Sequence, residues 1–224
     1  MQMTQSSVGR KILMAVTGLV LLGFVIVHLL GNTSVFVGPD GINAYAEKLH
    51  SLGPVVYIFR LVMLAAFAIH IIYGIQLTLE NRAASPAKYA IQKRQRATFA
   101  SSTMIVSGLV LLAFVIYHLL HFTVQVTDPA ISAKANLDAL GRPDVYLMVV
   151  KGFQKIFVSL IYVVSMVFLF LHLSHGAQSF VQTFGLTNAN TLPAVNVGGK
   201  ALSAILLLGY IAIPLLIVIG FVKI

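Results

Sequence analysis

Five stretches of this chain stay apolar long enough to cross a bilayer, and that fixes most of what it can fold into. A hydrocarbon layer about 30 Å thick takes about 20 apolar residues in a helix. No backbone N–H or C=O finds water there, so such a run closes its hydrogen bonds on itself. The runs are Ile12 to Leu30, Val55 to Leu79, Phe99 to Val124, Val145 to Leu173 and Ala201 to Val222. Lys151 and Lys155 interrupt the fourth near its start, where their stems can snorkel to the interface. Only 9% of residues are charged and 58% are hydrophobic, whereas soluble domains carry about a quarter charged residues. Mean hydropathy is +0.94. A soluble enzyme, a nucleic-acid binder and a disordered chain are excluded. The expected fold is an all-α integral membrane protein, a single domain over residues 1–224, with five transmembrane helices.

Charge placement gives the expected topology. Arg10 and Lys11 precede the first run, and Arg82, Lys88, Lys93, Arg94 and Arg96 lie between the second and third. The opposite loops mix signs: Asp40, Glu47 and Lys48 after the first run, then Asp128, Asp138 and Asp144 against Lys134 and Arg142 after the third. Basic residues collect on the cytoplasmic side. The N-terminus is therefore expected inside and the C-terminus outside, and the net charge of +9 reads as a topology signal. The first run is not read as a cleaved signal segment, because it is too long and no small-x-small site follows it before Gly31-Asn32. Gly38-Pro39-Asp40-Gly41 reads as a turn, Asn43 to Leu52 as a short interfacial helix, Asn136 to Asp144 as a further short piece, and Thr187 to Gly199 as loop.

Seven histidines outnumber six acidic residues. Polar groups in lipid are costly and usually functional. With no cysteine, disulfides, zinc–cysteine sites, iron–sulfur clusters and covalently attached haem are excluded. An internal repeat then sorts the histidines. Thr17 to Leu30 reads TGLVLLGFVIVHLL and Ser107 to Leu120 reads SGLVLLAFVIYHLL, with 11 of 14 positions identical at an offset of 90 residues (118 − 28), aligning His28 with His118. A weaker echo, HIIYGIQ from His70 and HLSHGAQ from His172, aligns His70 with His172.

At about 1.5 Å per residue, His28 and His118 fall near the outer ends of their helices. His70 falls about 22 Å from the outer surface, and His172 is expected near the cytoplasmic end of the fourth run. The four histidines form an outer and an inner pair, each drawn from equivalent helices of the two halves. That suits two stacked haems in a four-helix bundle made by the first four helices. Each iron would take two neutral imidazoles, and each second ring nitrogen would need an acceptor, such as a carbonyl one turn back. Gly18 and Gly108, each ten residues before its paired histidine, would sit near the inner haem and let the porphyrin edge approach. Gly74 and Gly176 lie one turn beyond His70 and His172. These glycines support the haem picture, with helix packing, common for glycines in membranes, as the alternative. His121 and His175 are rival ligands, but they align with Gly31 and Tyr73, so the repeat leaves them propionate or quinone roles. His50 lies in the outer loop.

The segments GRKILMAVTGLVLLGFVIVHLLGN, AAFAIHIIYGIQLTLENR, SGLVLLAFVIYHLLHF and FLFLHLSHGAQ resemble the di-haem cytochrome b subunit of succinate dehydrogenases and fumarate reductases, in its single-subunit, five-helix form. The resemblance covers essentially the whole chain. It implies a membrane anchor, in the cell's inner (cytoplasmic) membrane, for a flavoprotein subunit and an iron–sulfur subunit. Succinate and fumarate chemistry would reside on those partners, with no such active site on this chain. It implies two haem b groups that pass electrons between the iron–sulfur subunit and a membrane quinone, menaquinone in this form. His70 and His172 would bind the haem nearest the iron–sulfur subunit, and His28 and His118 the distal one. Some members carry an acidic residue two positions before the fourth ligand; here that position is Phe170, which puts a carboxylate proton path of that kind in doubt. Glu47 and His50 are candidates for a quinone site. Lys151 and Lys155, with Arg60, are candidates for the outer propionates, and Arg10 and Lys11 for the inner ones. Two alternatives stand beside this reading. A haem b anchor of a hydrogenase or formate dehydrogenase would also use bis-histidine ligation. A transporter with a histidine proton relay would call for membrane carboxylates and broken helices, and neither is evident.

Overall fold

The computed structural model describes residues 4–84 and 98–224. Lys88, Lys93, Arg94 and Arg96, the core of the basic loop, lie outside them. Most helices start where the sequence supplies a cap or a proline. Ser6 accepts a hydrogen bond from the Gly9 amide (2.9 Å) at the start of α1, Ser7–Asn32. Pro39 opens α2, Pro39–Ser51, and Pro54 opens α3, Pro54–Ala83, where the missing N–H costs nothing. Thr98 caps the single turn α4, Phe99–Ser102, before α5, Met104–His118, which continues as a π-turn over Leu119–Val124. Asp144 caps α6, Val145–Gln154, through the Leu147 amide (2.9 Å). Then come α7, Ile156–Thr183, and α8, Leu192–Val218. Among the described residues there is no strand; Leu137 and Pro143 form an isolated antiparallel bridge.

Among the described residues five helical segments are long and apolar enough to span a membrane: Ser7–Val37, Pro54–Ala83, Met104–Val124, Ile156–Thr183 and Leu192–Val218. Consecutive spans pack in a ring, α1 on α3, α3 on α5, α5 on α7 and α7 on α1, with α8 laid against α7 and touching α1. Most large apolar side chains that face outward belong to these five helices, which is how helices look when lipid is their solvent.

The structure corrects several sequence expectations. The fourth run is two helices. Lys155 takes an extended conformation (ψ 105°), and the Ser159 hydroxyl bonds the Phe153 carbonyl (2.5 Å) across the break. Helix α6 is a buried cap packed on α2, α7 and α8, with Val150 wholly enclosed. Apolarity alone does not distinguish a buried helix from a lipid-facing one, so the run appeared to start eleven residues early (156 − 145). The loop assigned to Thr187–Gly199 belongs largely to α8. There Gly199 lets α8 approach α7, since a Cβ on it would lie 3.3 Å from that of Ala177. Packing overrides the low helix propensity of Asn and Gly. Pro39-Asp40-Gly41 is the first turn of α2 rather than a free turn.

At the α2 end of the bundle a polar cluster locks α2 to the segment ahead of α6. The Asn43 side chain, 1% exposed, donates to Asp138 and Asp144 (3.1 Å each) and accepts from the Tyr146 amide (2.9 Å). Arg142 bridges Asp138 (2.7 Å) and Asp40 (2.8 Å). Burial would raise the Asp138 carboxyl, but hydrogen bonds from Arg142, Asn43 and the Leu140 amide outweigh it and hold it down at about 2. A buried amide stripped of its partners costs about 1–3 kcal/mol for each group left unsatisfied. Asn43→Leu is therefore expected to lower the thermal denaturation midpoint of the detergent-solubilised protein, while an exposed control, Lys48→Leu, leaves it unchanged. Because the folded carboxyl titrates below its ordinary value near 4, its contribution is complete above that pH and is lost as pH falls through about 2. Asp138→Asn should remove that acid-dependent part of the stability profile, measured between about pH 4 and pH 2.

Candidate cofactor site between the helices

The bundle brings the four repeat-related histidines together in pairs, each across two helices. The rings of His28 on α1 and His118 at the end of α5 lie 5.8 Å apart, centroid to centroid, with their planes at 90°. Those of His70 on α3 and His172 on α7 lie 6.2 Å apart at 66°. His70 and His172 are each sixteen residues from the start of their helices (70 − 54 and 172 − 156), so they share one depth. This corrects the expectation that His172 lies near the end of its span: eleven residues of α7 follow it (183 − 172). Gly18 faces His70, ten residues before His28, so the two levels are separated by about 15 Å along α1.

The repeat extends past the histidines to what holds them. His70 Nδ1 lies 3.2 Å from the Met14 carbonyl oxygen. A carbonyl only accepts, so Nδ1 carries the proton and Nε2 keeps a free lone pair. His172 Nδ1 lies 3.1 Å from the Ser107 hydroxyl, whose proton goes to the Met104 carbonyl (3.0 Å). Nδ1 therefore donates here too, and Nε2 is again free. Met14, Thr17 and Gly18 on α1 match Met104, Ser107 and Gly108 on α5 at the same offset of 90. Ser107 is 1% exposed and Thr17 is buried, its hydroxyl turned to the Leu13 and Met14 carbonyls (2.8 and 3.1 Å). The expected acceptor one turn back on the same helix is thus replaced by one on the neighbouring helix.

The two glycines make room for imidazole. A Cβ on Gly18 would lie 3.1 Å from His70 Cε1, and one on Gly108 would lie 3.4 Å from His172 Cε1. Beside Gly74 and Gly176, one turn beyond each inner histidine, a Cβ would meet nothing within 4 Å. At the other level His28 stacks on Phe24 (5.2 Å), and His118 Nδ1 lies 3.3 Å from the Tyr162 hydroxyl.

Each pair has the spacing that would suit a metal held between its two rings. Two metal–nitrogen bonds of about 2 Å, plus about 1 Å from each nitrogen to its ring centre, place the centroids roughly 6 Å apart. Among the described residues no group of three or more His, Cys, Asp or Glu is placed to hold a metal ion. A metal held here by protein ligands alone would be under-coordinated, whereas one whose equatorial ligands come from a macrocycle needs only the two imidazoles.

A family model described as the succinate dehydrogenase/fumarate reductase transmembrane subunit matches residues 4–85 and residues 78–213. The chain belongs to this family. Family members are usually haem-binding membrane subunits of succinate:quinone oxidoreductase complexes, and this chain is accordingly a multi-pass membrane protein of that group. No match was found among curated proteins or solved structures.

The other sequence candidates have partners or surroundings of their own. Glu47 and His50 are on the exposed side of α2, where His50 Nδ1 donates to the Ala46 carbonyl (2.7 Å). Neither makes a hydrogen bond or ring contact with the four histidines among the described residues. Lys151 is exposed, Lys155 pairs with Asp128, and Arg60 lies over the Tyr57 ring at 5.7 Å. Arg10 pairs with Glu80 (2.7 Å), whose other oxygen accepts from Gln76 (3.1 Å). His121 is buried on Tyr162, and His175 is half-buried. The sequence reading missed Tyr162, for which one tyrosine among eight gives no signal. It also missed Ser107, which opens the repeat but bears no signal of its role, and Met14 and Met104, which align three residues upstream of the compared segments.

The tighter contact at Gly18 makes the two glycines unequal. Gly18→Ala is expected to push the His70 ring and to destabilise the purified protein more than Gly108→Ala. Gly18→Val is expected to cost about 1–3 kcal/mol through overpacking. Thermal denaturation of the three variants checks the order.

Proposed function

We propose that this chain is the di-haem cytochrome b anchor of a succinate:quinone oxidoreductase. The observation that carries the proposal is the pair of cross-helix imidazole couples at two depths, each with a centroid separation suited to one metal between them. Haem b, when bound, supplies one-electron transfer. Held between two histidines, it would leave no open position for a substrate.

In this reading His70 and His172 present neutral Nε2 atoms to the inner haem, and His28 and His118 present theirs to the outer. Met14 and Ser107 hold the inner rings in the ligating tautomer. Gly18 and Gly108 keep those rings seated, and the space beside Gly74 and Gly176 accommodates the macrocycle edge. The first four spans then form a haem-binding bundle, and α8 buttresses α7.

The N-terminus, with Arg10, Lys11 and Arg82, faces the cytoplasm by the positive-inside rule. The iron–sulfur subunit docks at that end and the flavoprotein subunit docks on it; both are partners of the same complex. Electrons pass between the iron–sulfur subunit and menaquinone in the inner membrane. Glu47 and His50, exposed beside the outer level, exchange protons with quinone. Lys151 and Lys155 are within the same outer region and serve the propionates, with Lys155 exchanging its Asp128 partner.

Reduced-minus-oxidised spectra of the chain purified with its partners should show two haem b groups per chain. His28→Ala and His118→Ala should lose the same haem, and His70→Ala and His172→Ala the other. A flavoprotein and an iron–sulfur subunit should copurify. An intact complex without a Soret band refutes the proposal, and loss of a common haem across the two couples refutes the pairing.

A further inference from the structure

Tyr162 on α7 is 7% exposed, and its hydroxyl is shared by two histidines. It lies 3.3 Å from His118 Nδ1 and 3.0 Å from His121 Nδ1. A phenol has one proton, so it can donate to only one of them. If His118 gives its Nε2 lone pair to iron, its own proton sits on Nδ1 and must be donated to the Tyr162 oxygen. The phenol proton then goes to His121 Nδ1, and His121 carries its proton on Nε2. This inference rests on the function proposed above, because only ligation fixes the direction of the chain.

The surroundings hold this arrangement. The π-turn Leu119–Val124 carries His121, and π-turns within helices occur frequently at functional sites. His121 is 6% exposed, stacked on Phe122 (4.0 Å) and Tyr117 (5.5 Å). A Cβ on Gly152 of α6 would lie 3.3 Å from its Nε2, so the cap helix closes over the ring. Phe114, Tyr117, Phe122 and Phe153 surround Tyr162 with centroids 4.9–6.0 Å away. Among the described residues nothing equivalent is seen in the first half. His121 aligns with Gly31, and near His28 the Tyr210 hydroxyl donates instead to the Val25 carbonyl (2.6 Å).

We propose that Tyr162 and His121 are positioning residues: a polarised hydrogen-bond chain from His118 to His121 that holds His118 in its ligating tautomer and sets the outer haem's reduction potential. By accepting the phenol proton, His121 keeps it from turning to His118, where it would oppose ligation through Nε2. An acceptor at Nδ1 makes an imidazole a stronger donor to iron and favours the oxidised metal. Hydrogen bonds in series reinforce one another where the local dielectric is low.

The test is a redox titration of the intact complex at one pH, followed optically and by electron paramagnetic resonance, with haem content measured beside it. Tyr162→Phe should keep two haems per chain and shift the outer haem's equilibrium about tenfold toward the reduced form, about 59 mV for one electron, with the inner haem unmoved. His121→Leu should shift it the same way, and His121→Asn, whose amide oxygen can accept the phenol proton, should restore part of the shift. Two haems with unshifted potentials in Tyr162→Phe, or a shift confined to the inner haem, overturn the proposal. If Tyr162→Phe loses the outer haem, the two His121 variants decide: outer potentials that differ between them support the chain, and equal ones overturn it. A wild-type complex lacking haem overturns the function and this inference together; a wild-type complex with two haems and unresponsive variants overturns this inference alone.

Discussion

An imidazole placed in a membrane interior has two nitrogens and no water for either. One carries a proton that needs an acceptor, and the other carries a lone pair that needs a donor or a metal. The helices have no spare acceptors except carbonyls and hydroxyls pointed at a neighbour, since each backbone is already satisfied within itself. The packing of α1 on α3, and of α5 on α7, answers this constraint at one nitrogen of each inner ring. Met14 serves His70, and Ser107, tied to Met104, serves His172. Each of these rings is left with a lone pair on Nε2, and the two ring centres lie 6.2 Å apart. The proposed haem follows from that remaining valence more directly than from the presence of four histidines.

That geometry depends on close helix approach. Gly18 and Gly108 allow it, because any side chain at either position would meet a histidine ring. Small residues are the usual means by which membrane helices come together, where lipid supplies no hydrophobic drive between them. Here the glycines face particular rings, so packing and ligand placement are one feature. The same helix turn supplies the hydroxyl of Thr17 or Ser107 and the carbonyl of Met14 or Met104. A single turn, repeated at an offset of 90 residues, therefore seats a ring, accepts its proton and sets its depth.

The pairing of histidines and the number of spans were legible in the sequence, because both rest on long periodic signals: runs of about 20 apolar residues and a 14-residue repeat. What was not legible depends on tertiary contact. Val145 to Gln154 is as apolar as a span, yet it is a cap, and only its burial against α2, α7 and α8 distinguishes it. Lys151 and Lys155 were read as snorkelling residues, whereas the chain actually breaks at Lys155. The polar start of α8 looked like loop because Asn and Gly are weak helix formers, and the contact of Gly199 with Ala177 overrides that preference. Moving the start of the fourth span to Ile156 also moves His172 inward, to the same distance from its helix start as His70. An error in a helix boundary had disguised a symmetry in the site.

The halves are nonetheless unequal, and the inequality lies at one level. At the inner level both Nδ1 protons go to acceptors supplied by the repeated turn. At the other level His118 reaches a phenol backed by a second histidine, while the ring of His28 makes no hydrogen bond among the described residues and rests on Phe24 and Tyr210. The repeat could not supply a common solution there, because its two copies diverge just beyond the histidines: Gly31 in the first and His121 in the second. The first copy continues as α-helix to Asn32, whereas the second turns into a π-turn under α6. Two metal centres with the same ligand types would be electronically alike if their surroundings were alike. If two haems are held as proposed, the divergence after the second repeat is where their surroundings would differ.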